Sequence, residues 1–246
     1  MIENRRFINR EDGVLLAIFI TTLIYFVPSL AYKTLDAKIW IYFLYSFFAL
    51  LFIAYAAVPM IFSRIKISAQ MNLFRLNNYC VITFIACICY FSAIEYIIKS
   101  MGLSGGQYSI FKYLDSLMLH IQGRAGISSG HRFIRETGFM LVVMLPLCEE
   151  LFFRCYLQES LKRYYNVYFA VTVPALLVAA RHLALFTILC EPIGYSAVFL
   201  CFAAFVSFAF FGWVYEREEN VFSSMIVHFA GNLSFGVCSI IFGGGI

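Results

Sequence analysis

Long apolar stretches dominate the pattern of hydrophobic and polar positions along this chain. Each holds the roughly 20 residues that cross a hydrocarbon core of about 30 Å. They cover residues 13–32, 39–62, 79–98, 138–157, 167–189, 193–214 and 222–242. Lipid offers no partners to backbone polar groups, and no stretch alternates as a barrel strand does. The pattern therefore predicts an all-α polytopic membrane protein, with residues 1–246 as one membrane domain.

An eighth helical segment is predicted at residues 104–124. Phe111, Leu114, Met118 and Ile121 recur there at helical spacing, with polar residues on other faces. Such a segment is typical of an amphipathic helix on the membrane surface, and a poorer eighth span is the alternative. The expected bundle thus has seven or eight transmembrane helices.

Composition agrees with a membrane protein. Hydrophobic residues make up 62% of the chain and charged residues 13%, against about 45–50% and about 25% in soluble domains. Disordered proteins, secreted disulfide scaffolds and ordinary cytosolic enzymes are therefore excluded. The net charge of +4 is dispersed, so we expect membrane lipid and no nucleic acid as a partner. The eight cysteines form no CxxC pair and are interpreted as small buried hydrophobic residues.

The distribution of Lys and Arg predicts the orientation of a multi-pass protein in the cell membrane. Short cytoplasmic loops carry an excess of these residues. A cytoplasmic N-terminus places most of them inside, and only Lys33 and Lys38 in the short outer loops. The long segment 99–136 opposes this orientation, but long loops carry less weight. The residues placed inside are Arg5, Arg6, Arg10, Arg64, Lys66, Arg75, Lys162, Arg163 and Arg217.

Charged and polar side chains interrupt the apolar stretches at a few positions. Such residues are costly in a bilayer and mark candidate functional sites. Glu95 lies near the end of its stretch and is interpreted as interfacial. The others lie in the second half of the chain and comprise Glu149, Glu150, Arg154, Arg181, His182, His228 and Asn232.

The two adjacent glutamates are expected to have different roles. Glu150 and Arg154 are four residues apart, so they share a helix face and can form an ion pair. Glu149 is turned by about 100° from Glu150. We therefore predict that Arg154 holds Glu150 ionised, while Glu149 lies in a poorly solvated cavity as a general base. The alternative is that all three residues only hold the bundle together.

His228 and Asn232 are also four residues apart and share a face. Their side chains can both donate hydrogen bonds to a developing oxyanion. His182, from another helix, could polarise a water molecule together with Glu149. A single intramembrane histidine is often only a partner in helix packing. An acid, two imidazoles and an amide from three helices instead indicate peptide hydrolysis.

The sequence supports two other kinds of site less well. Glu149, Glu150, His182 and His228 could hold zinc. Asn232 is a poor zinc ligand but a good oxyanion donor, so we expect no metal or other cofactor, with zinc as the alternative. The GxSxG match at residues 126–130 lies in a Gly/Ser loop of a helical chain, and it is interpreted as chance because a nucleophile elbow follows a strand.

These motifs resemble the CPBP family, which comprises CAAX prenyl endopeptidases and bacteriocin-processing or immunity proteins. The resemblance covers residues 138–242 and rests on Glu149-Glu150-x-x-x-Arg154, a later His182, and His228-x-x-x-Asn232. The second motif is normally Phe-x-x-x-His and here begins with Val178, with Arg181 as an unusual neighbour. The family implies a glutamate-dependent intramembrane endopeptidase. In it, Glu149 and His182 would activate water, His228 and Asn232 would form the oxyanion hole, and Glu150 and Arg154 would organise the site.

The expected function is hydrolysis of a peptide bond near the cytoplasmic face, in a membrane-associated peptide or a CAAX-like protein tail, with or without a lipid modification. The alternative is a non-enzymatic immunity or scaffold protein of the same fold. A proton-coupled transporter is a weaker alternative, because no pair of broken helices is evident. One predicted depth disagrees with those of the other site residues. His182 lies about 22 Å from the start of its stretch at ~1.5 Å per residue, which is too deep. We therefore expect that helix to begin near Pro174 or to tilt.

Overall fold

Helices make up nearly all of the chain that the computed structural model describes, which comprises residues 72–100, 145–189 and 195–242. Within these ranges there is no β-strand. The spans predicted at 13–32 and 39–62, the segment 104–124 and the GxSxG match lie outside the described residues. The helices are α1 (Leu73–Ser100), α2 (Leu145–Glu150), a π-helical segment (Leu151–Gln158), α3 (Glu159–Lys162), α4 (Val167–Leu189), α5 (Tyr195–Glu218) and α6 (Val221–Phe242).

The described helices follow the predicted apolar stretches. The stretch 167–189 coincides with α4, and the stretch 222–242 differs from α6 by one residue. Three helices are long and apolar enough to cross a membrane, over Leu73–Ile98, Val198–Glu218 and Val221–Cys238, and Val167–Leu183 is a shorter apolar helix. The protein is therefore an all-helical membrane protein in the part described.

One predicted boundary is wrong, and so is one of the two alternatives offered for another helix. The helix that carries Glu149 does not end at Leu157, because α2, the π-helical segment and α3 form one continuous composite helix to Lys162. Helix α4 does not begin near Pro174. It begins at Val167, and Pro174 lies buried in its interior. Asn166 explains the earlier start, since its side-chain oxygen accepts the backbone N–H of Phe169 at 2.9 Å and caps the helix.

Asparagine caps begin three of the helices at one end of the bundle. Asn72 accepts the N–H of Arg75 at 3.0 Å, and Asn220 accepts the N–H of Phe222 at 2.9 Å, as Asn166 does in α4. Each cap satisfies an N–H group that the first turn of a helix leaves without a partner. The starts of α1, α4 and α6 are therefore fixed where the composite helix and α5 end.

Apolar clusters, of which two are the larger, hold the described helices together. One is centred on Phe152 and Phe153 of the composite helix and on Phe208 and Phe211 of α5. The other joins α1, α5 and α6 around Phe91. Tyr90 of α1 packs against this second cluster. Its hydroxyl donates a hydrogen bond to the carbonyl oxygen of Phe199 on α5 at 2.8 Å. The first cluster surrounds the polar residues of the candidate site.

Gly231 marks the closest approach of α6 to its neighbours. A Cβ atom at this position would lie 3.2 Å from Cζ of Phe211 on α5 and 3.5 Å from Cγ2 of Thr83 on α1. Small residues allow membrane helices to approach in this way. A Cβ atom at Gly236, one and a half turns further along α6, would meet nothing within 4 Å.

We therefore expect Gly231→Val to lower the midpoint of thermal unfolding, because the added methyl groups force α6 away from Phe211. The matched control Gly236→Val should leave the midpoint close to that of the parent. Thermal unfolding of the purified protein in detergent measures both. Equal midpoints for the two variants would contradict this packing.

Candidate functional site

Glu150 is surrounded by three hydrogen-bonding side chains. Its Oε2 atom accepts from Nε of Arg154 at 2.8 Å and from the hydroxyl of Ser224. Its Oε1 atom lies 2.9 Å from Nδ1 of His228. The carboxylate is fully buried, and both of its oxygens are engaged. Glu150 is thus placed to organise its neighbours rather than to take a proton from a substrate, and its predicted contact with Arg154 is present.

The same face of the composite helix continues as a row of polar contacts with α5. Nη2 of Arg154 donates to the carbonyl oxygen of Phe208 at 2.9 Å. One turn on, Nε2 of Gln158 donates to the carbonyl oxygen of Gly212 at 3.0 Å. Both side chains are fully buried. The two contacts advance together along both helices, so the composite helix and α5 run parallel with a fixed register.

The absence of a side chain at Gly212 is required for this row. A Cβ atom there would lie 3.0 Å from both Nη1 of Arg154 and Oε1 of Gln158. These two atoms are 3.2 Å apart and hydrogen-bonded to each other. Any larger residue would therefore push on the pair that fixes the guanidinium behind Glu150.

The row ends in an ion pair at the capped end of the bundle. Gln158 also donates to Oε1 of Glu216 at 2.8 Å, and Nζ of Lys162 lies 2.6 Å from Oε2 of the same carboxylate. Burial opposes the charged form of Lys162, but the hydrogen bond and charge of Glu216 and the charge of Glu159 outweigh it and raise its pKa. The lysine therefore stays charged and anchors the row.

A π-helical segment carries Arg154. Its hydrogen bonds reach one residue further than those of an α-helix, as in the bond from the N–H of Glu159 to the carbonyl oxygen of Arg154. Such segments are rare and are found frequently at functional sites. The sequence predicted regular α-helical spacing here. Because Glu150 ends the α-helical part before this segment, its contact with Arg154 is kept.

Glu149 faces a different group of side chains from Glu150. Its Oε1 atom forms an ion pair with Nη1 of Arg181 from α4. Its Oε2 atom lies 3.8 Å from Nε2 of His228 on α6. The predicted burial of Glu149 is confirmed, since the residue is 1% exposed. The sequence assigned no charged partner to Glu149, and the structure supplies Arg181.

His228 lies between the two glutamates. Its ring stacks on Phe211 with centroids 4.7 Å apart and meets Phe208 edge-on at 4.9 Å. With a proton on Nδ1, the ring donates to Glu150 and turns Nε2 toward Glu149. Neutral imidazole then presents an acceptor at Nε2, and imidazolium presents a donor. Donation to an oxyanion from Nε2 therefore needs the charged ring.

The other two predicted site residues lie on the helices that bring in Arg181 and His228. His182 follows Arg181 on α4, and its Nδ1 atom lies 2.9 Å from the carbonyl oxygen of Val178. A proton on Nδ1 makes this a hydrogen bond and leaves an acceptor at Nε2. Asn232 follows His228 by one helical turn on α6 and is partly buried. Among the described contacts, the structure thus joins Glu149, Glu150, Arg154 and His228.

The longer composite helix also reduces the strain in depth noted from the sequence. Glu149 lies thirteen residues before Lys162, or about 20 Å at ~1.5 Å per residue. This is close to the depth of His182 counted from Val167. His228 lies only seven residues after Val221, about 10 Å by the same rise, so the count of residues alone does not explain its contact with Glu149.

Sequence reasoning missed Ser224, Gln158 and the contact of Arg181. A signal for the first two was present in the spacing. Ser224 precedes His228 by four residues, and Gln158 follows Arg154 by four, so each extends a polar face along an apolar helix. No spacing could have paired Arg181 with Glu149, because they lie on different helices. In the described ranges, no group of three or more His, Cys, Asp or Glu side chains is arranged to hold a metal ion.

Residues 135–234 match a protein family described as type II CAAX prenyl endopeptidase Rce1-like. The similarity is to this stretch of the chain. It contains every residue predicted for the site, and it confirms the resemblance drawn from the sequence motifs. No curated protein and no solved structure matches the chain.

We expect Glu150→Ala and Arg154→Ala each to lower the midpoint of thermal unfolding. Removing one member of a buried ion pair leaves the other charge uncompensated, which costs about 3–5 kcal/mol. Lys162→Ala is the control, because the lysine side chain is 28% exposed and water can replace its contacts. Thermal unfolding in detergent measures all three. A midpoint for Glu150→Ala equal to that of the parent would argue against the ion pair.

Proposed function

We propose that this protein is a glutamate-dependent intramembrane endopeptidase. The observation that carries the proposal is the arrangement of Glu149 and His228, whose Oε2 and Nε2 atoms lie 3.8 Å apart between two buried helices. One oxygen atom can contact both groups at ordinary hydrogen-bond distances. The Rce1-like match supports a peptidase that acts in the membrane.

In the proposed reaction, Glu149 acts as the general base. Its Oε2 atom takes a proton from water, and the resulting hydroxide attacks the carbonyl carbon of the peptide bond. His182 polarises the same water through its second ring nitrogen. When the C–N bond breaks, Glu149 returns the proton to the leaving amine. The products are a carboxylic acid and an amine, which exchange a proton to give a carboxylate and an ammonium ion, and the enzyme is regenerated.

The negative charge that develops on the carbonyl oxygen needs hydrogen-bond donors. His228 and Asn232 lie one helical turn apart on α6 and are proposed to donate to this oxygen. Glu150 supports the charged form of His228 through the 2.9 Å contact at Nδ1. Arg154 and Ser224 hold Glu150 in place, so these three side chains act on the reaction through His228.

The proposed substrate is a membrane-associated peptide or a CAAX-like tail, with or without a lipid. The capped end of the bundle, where Lys162, Arg163, Arg217 and Arg75 gather, is proposed to face the cytoplasm of a protein in the cell membrane. The N-terminus of the protein is then also proposed to lie in the cytoplasm. Cleavage would take place below this face, at the depth of Glu149.

Hydrolysis is proposed to need no metal ion. A zinc ion held by Glu149, His182 and His228 would lie next to the guanidinium of Arg181, which already forms an ion pair with Glu149. The repulsion between the two cations disfavours that arrangement. The contact of His228 with Glu150 suits a ring that donates to substrate oxygen as well as it suits a ring that binds a metal ion.

Glu149→Gln should abolish cleavage, because an amide cannot take a proton from water. His182→Ala and His228→Ala should each lower the rate by orders of magnitude, and Asn232→Ala by about 10²–10³, the loss typical of one oxyanion donor. The probes are a peptide with a farnesylated CAAX-type end and the same peptide without the lipid. Mass spectrometry of the products measures cleavage.

Glu159→Gln is the matched control, since it makes the same change on the composite helix ten residues from Glu149. It should cleave at the parent rate. Cleavage by Glu149→Gln at the parent rate, with equal expression, would contradict the proposed role of Glu149.

We also expect cleavage to survive exhaustive treatment with a strong chelator. The rate before and after treatment, together with elemental analysis of the purified protein, measures this. If the treated protein loses activity, regains it with zinc, and holds close to one zinc per chain, then the metal-free mechanism is wrong and Glu149 and the histidines are ligands.

A further inference from the structure

The candidate site contains four charged side chains that are almost completely withdrawn from solvent. Glu149 and Glu150 contribute two negative charges, and Arg154 and Arg181 contribute two positive charges. Side-chain exposure is 0% for both members of the Glu150–Arg154 pair, 2% for Glu149 and 3% for Arg181. The motif Glu149-Glu150-x-x-x-Arg154 alone would leave one buried negative charge without a partner. Arg181 supplies the missing positive charge.

Arg181 reaches Glu149 from a separate helix. It lies on α4 directly before His182, so the helix that carries one proposed water-activating residue also carries the cation for the other. Arg154 is already committed to Glu150, Gln158 and the carbonyl oxygen of Phe208. None of these three hydrogen bonds is to Glu149.

The ion pair also orients the Glu149 carboxylate. Oε1 is held by Arg181, and Oε2 is directed toward Nε2 of His228. The proposed reaction needs one carboxylate oxygen to face the water and the oxyanion donors. Holding the other oxygen from α4 fixes the rotation of the carboxylate about its last side-chain bond.

We propose that Arg181 is a positioning residue for Glu149, which pairs with its Oε1 atom and directs its second oxygen at the reacting water. This inference rests on the proposed peptidase function for its kinetic part. The ion pair itself does not depend on that function. Two measurements therefore separate the two ideas.

The first measurement is a double-mutant cycle on thermal unfolding in detergent, with Glu149→Gln, Arg181→Met and the double variant. Each single change leaves a buried charge without its partner and should lower the midpoint, on the order of 10 °C. The double variant removes both charges. Its midpoint should therefore fall by much less than the sum of the two single decreases. Arg163→Met, at an exposed position, should match the parent. Additive losses would show that the two side chains do not act as a pair.

The second measurement is the cleavage of the farnesylated CAAX-type peptide and its unlipidated form. Arg181→Met should lower kcat by about 10²-fold, the loss expected from misplacing a catalytic group by about 1 Å. KM should change little, because Arg181 acts through Glu149 and not on the substrate. Arg181→Lys keeps the positive charge and should recover part of kcat. A purely structural role would not give this split between kcat and KM or this recovery.

The outcomes distinguish the inference from the function on which it rests. The positioning role would be overturned if Arg181→Met had the same kcat and KM as the parent. A rise in KM alone would also overturn it, and would indicate that Arg181 contacts the substrate. Suppose that the parent cleaves neither peptide and that Glu149→Gln leaves peptide processing in cells unchanged. These two results together would overturn the proposed function, and the kinetic role of Arg181 with it. The unfolding cycle would still decide whether the pair exists.

Discussion

The withdrawal of four charges from solvent is the constraint on which the rest of the described structure depends. An isolated charge in an apolar bundle is strongly unfavourable, and a pair is tolerated only when the geometry satisfies its hydrogen bonds. Glu150 and Arg154 meet this condition within one helix, and the charge of Glu149 is balanced by an ion pair with Arg181 from α4. The position of α4 is therefore tied to the chemistry of the composite helix.

The register between the composite helix and α5 follows from the same requirement. Arg154 has more donors than Glu150 can accept, and the remaining ones reach backbone oxygen in α5. Gln158 repeats the arrangement one turn further on, opposite Gly212, where no side chain stands in the way. A row of buried polar contacts thus aligns two parallel helices that apolar packing alone would leave free to slide.

The placement of His228 connects this framework to a reaction. Its ring is held by two phenylalanines of α5, and its two nitrogens face two different carboxylates. Glu150, with its oxygens fully engaged, contacts Nδ1 of the ring. Glu149 has one oxygen in the ion pair with Arg181 and the other turned toward the ring, which is the oxygen proposed to face the reacting water. Adjacent residues in the sequence thereby receive the roles of organiser and base proposed for an Rce1-like peptidase.

The sequence by itself determined the helical class, the approximate limits of the described membrane helices and the contact of Glu150 with Arg154. These features depend on hydrophobicity and on spacing within one helix, both of which are local. The ion pair of Glu149 with Arg181, and the position of His228 between the glutamates, were decided only by the tertiary structure. They join side chains from separate helices, and the spacing along one chain carries no record of which helix faces which. The π-helical segment belongs with them, since tertiary contacts of Arg154 and Gln158 accompany its departure from α-helical geometry.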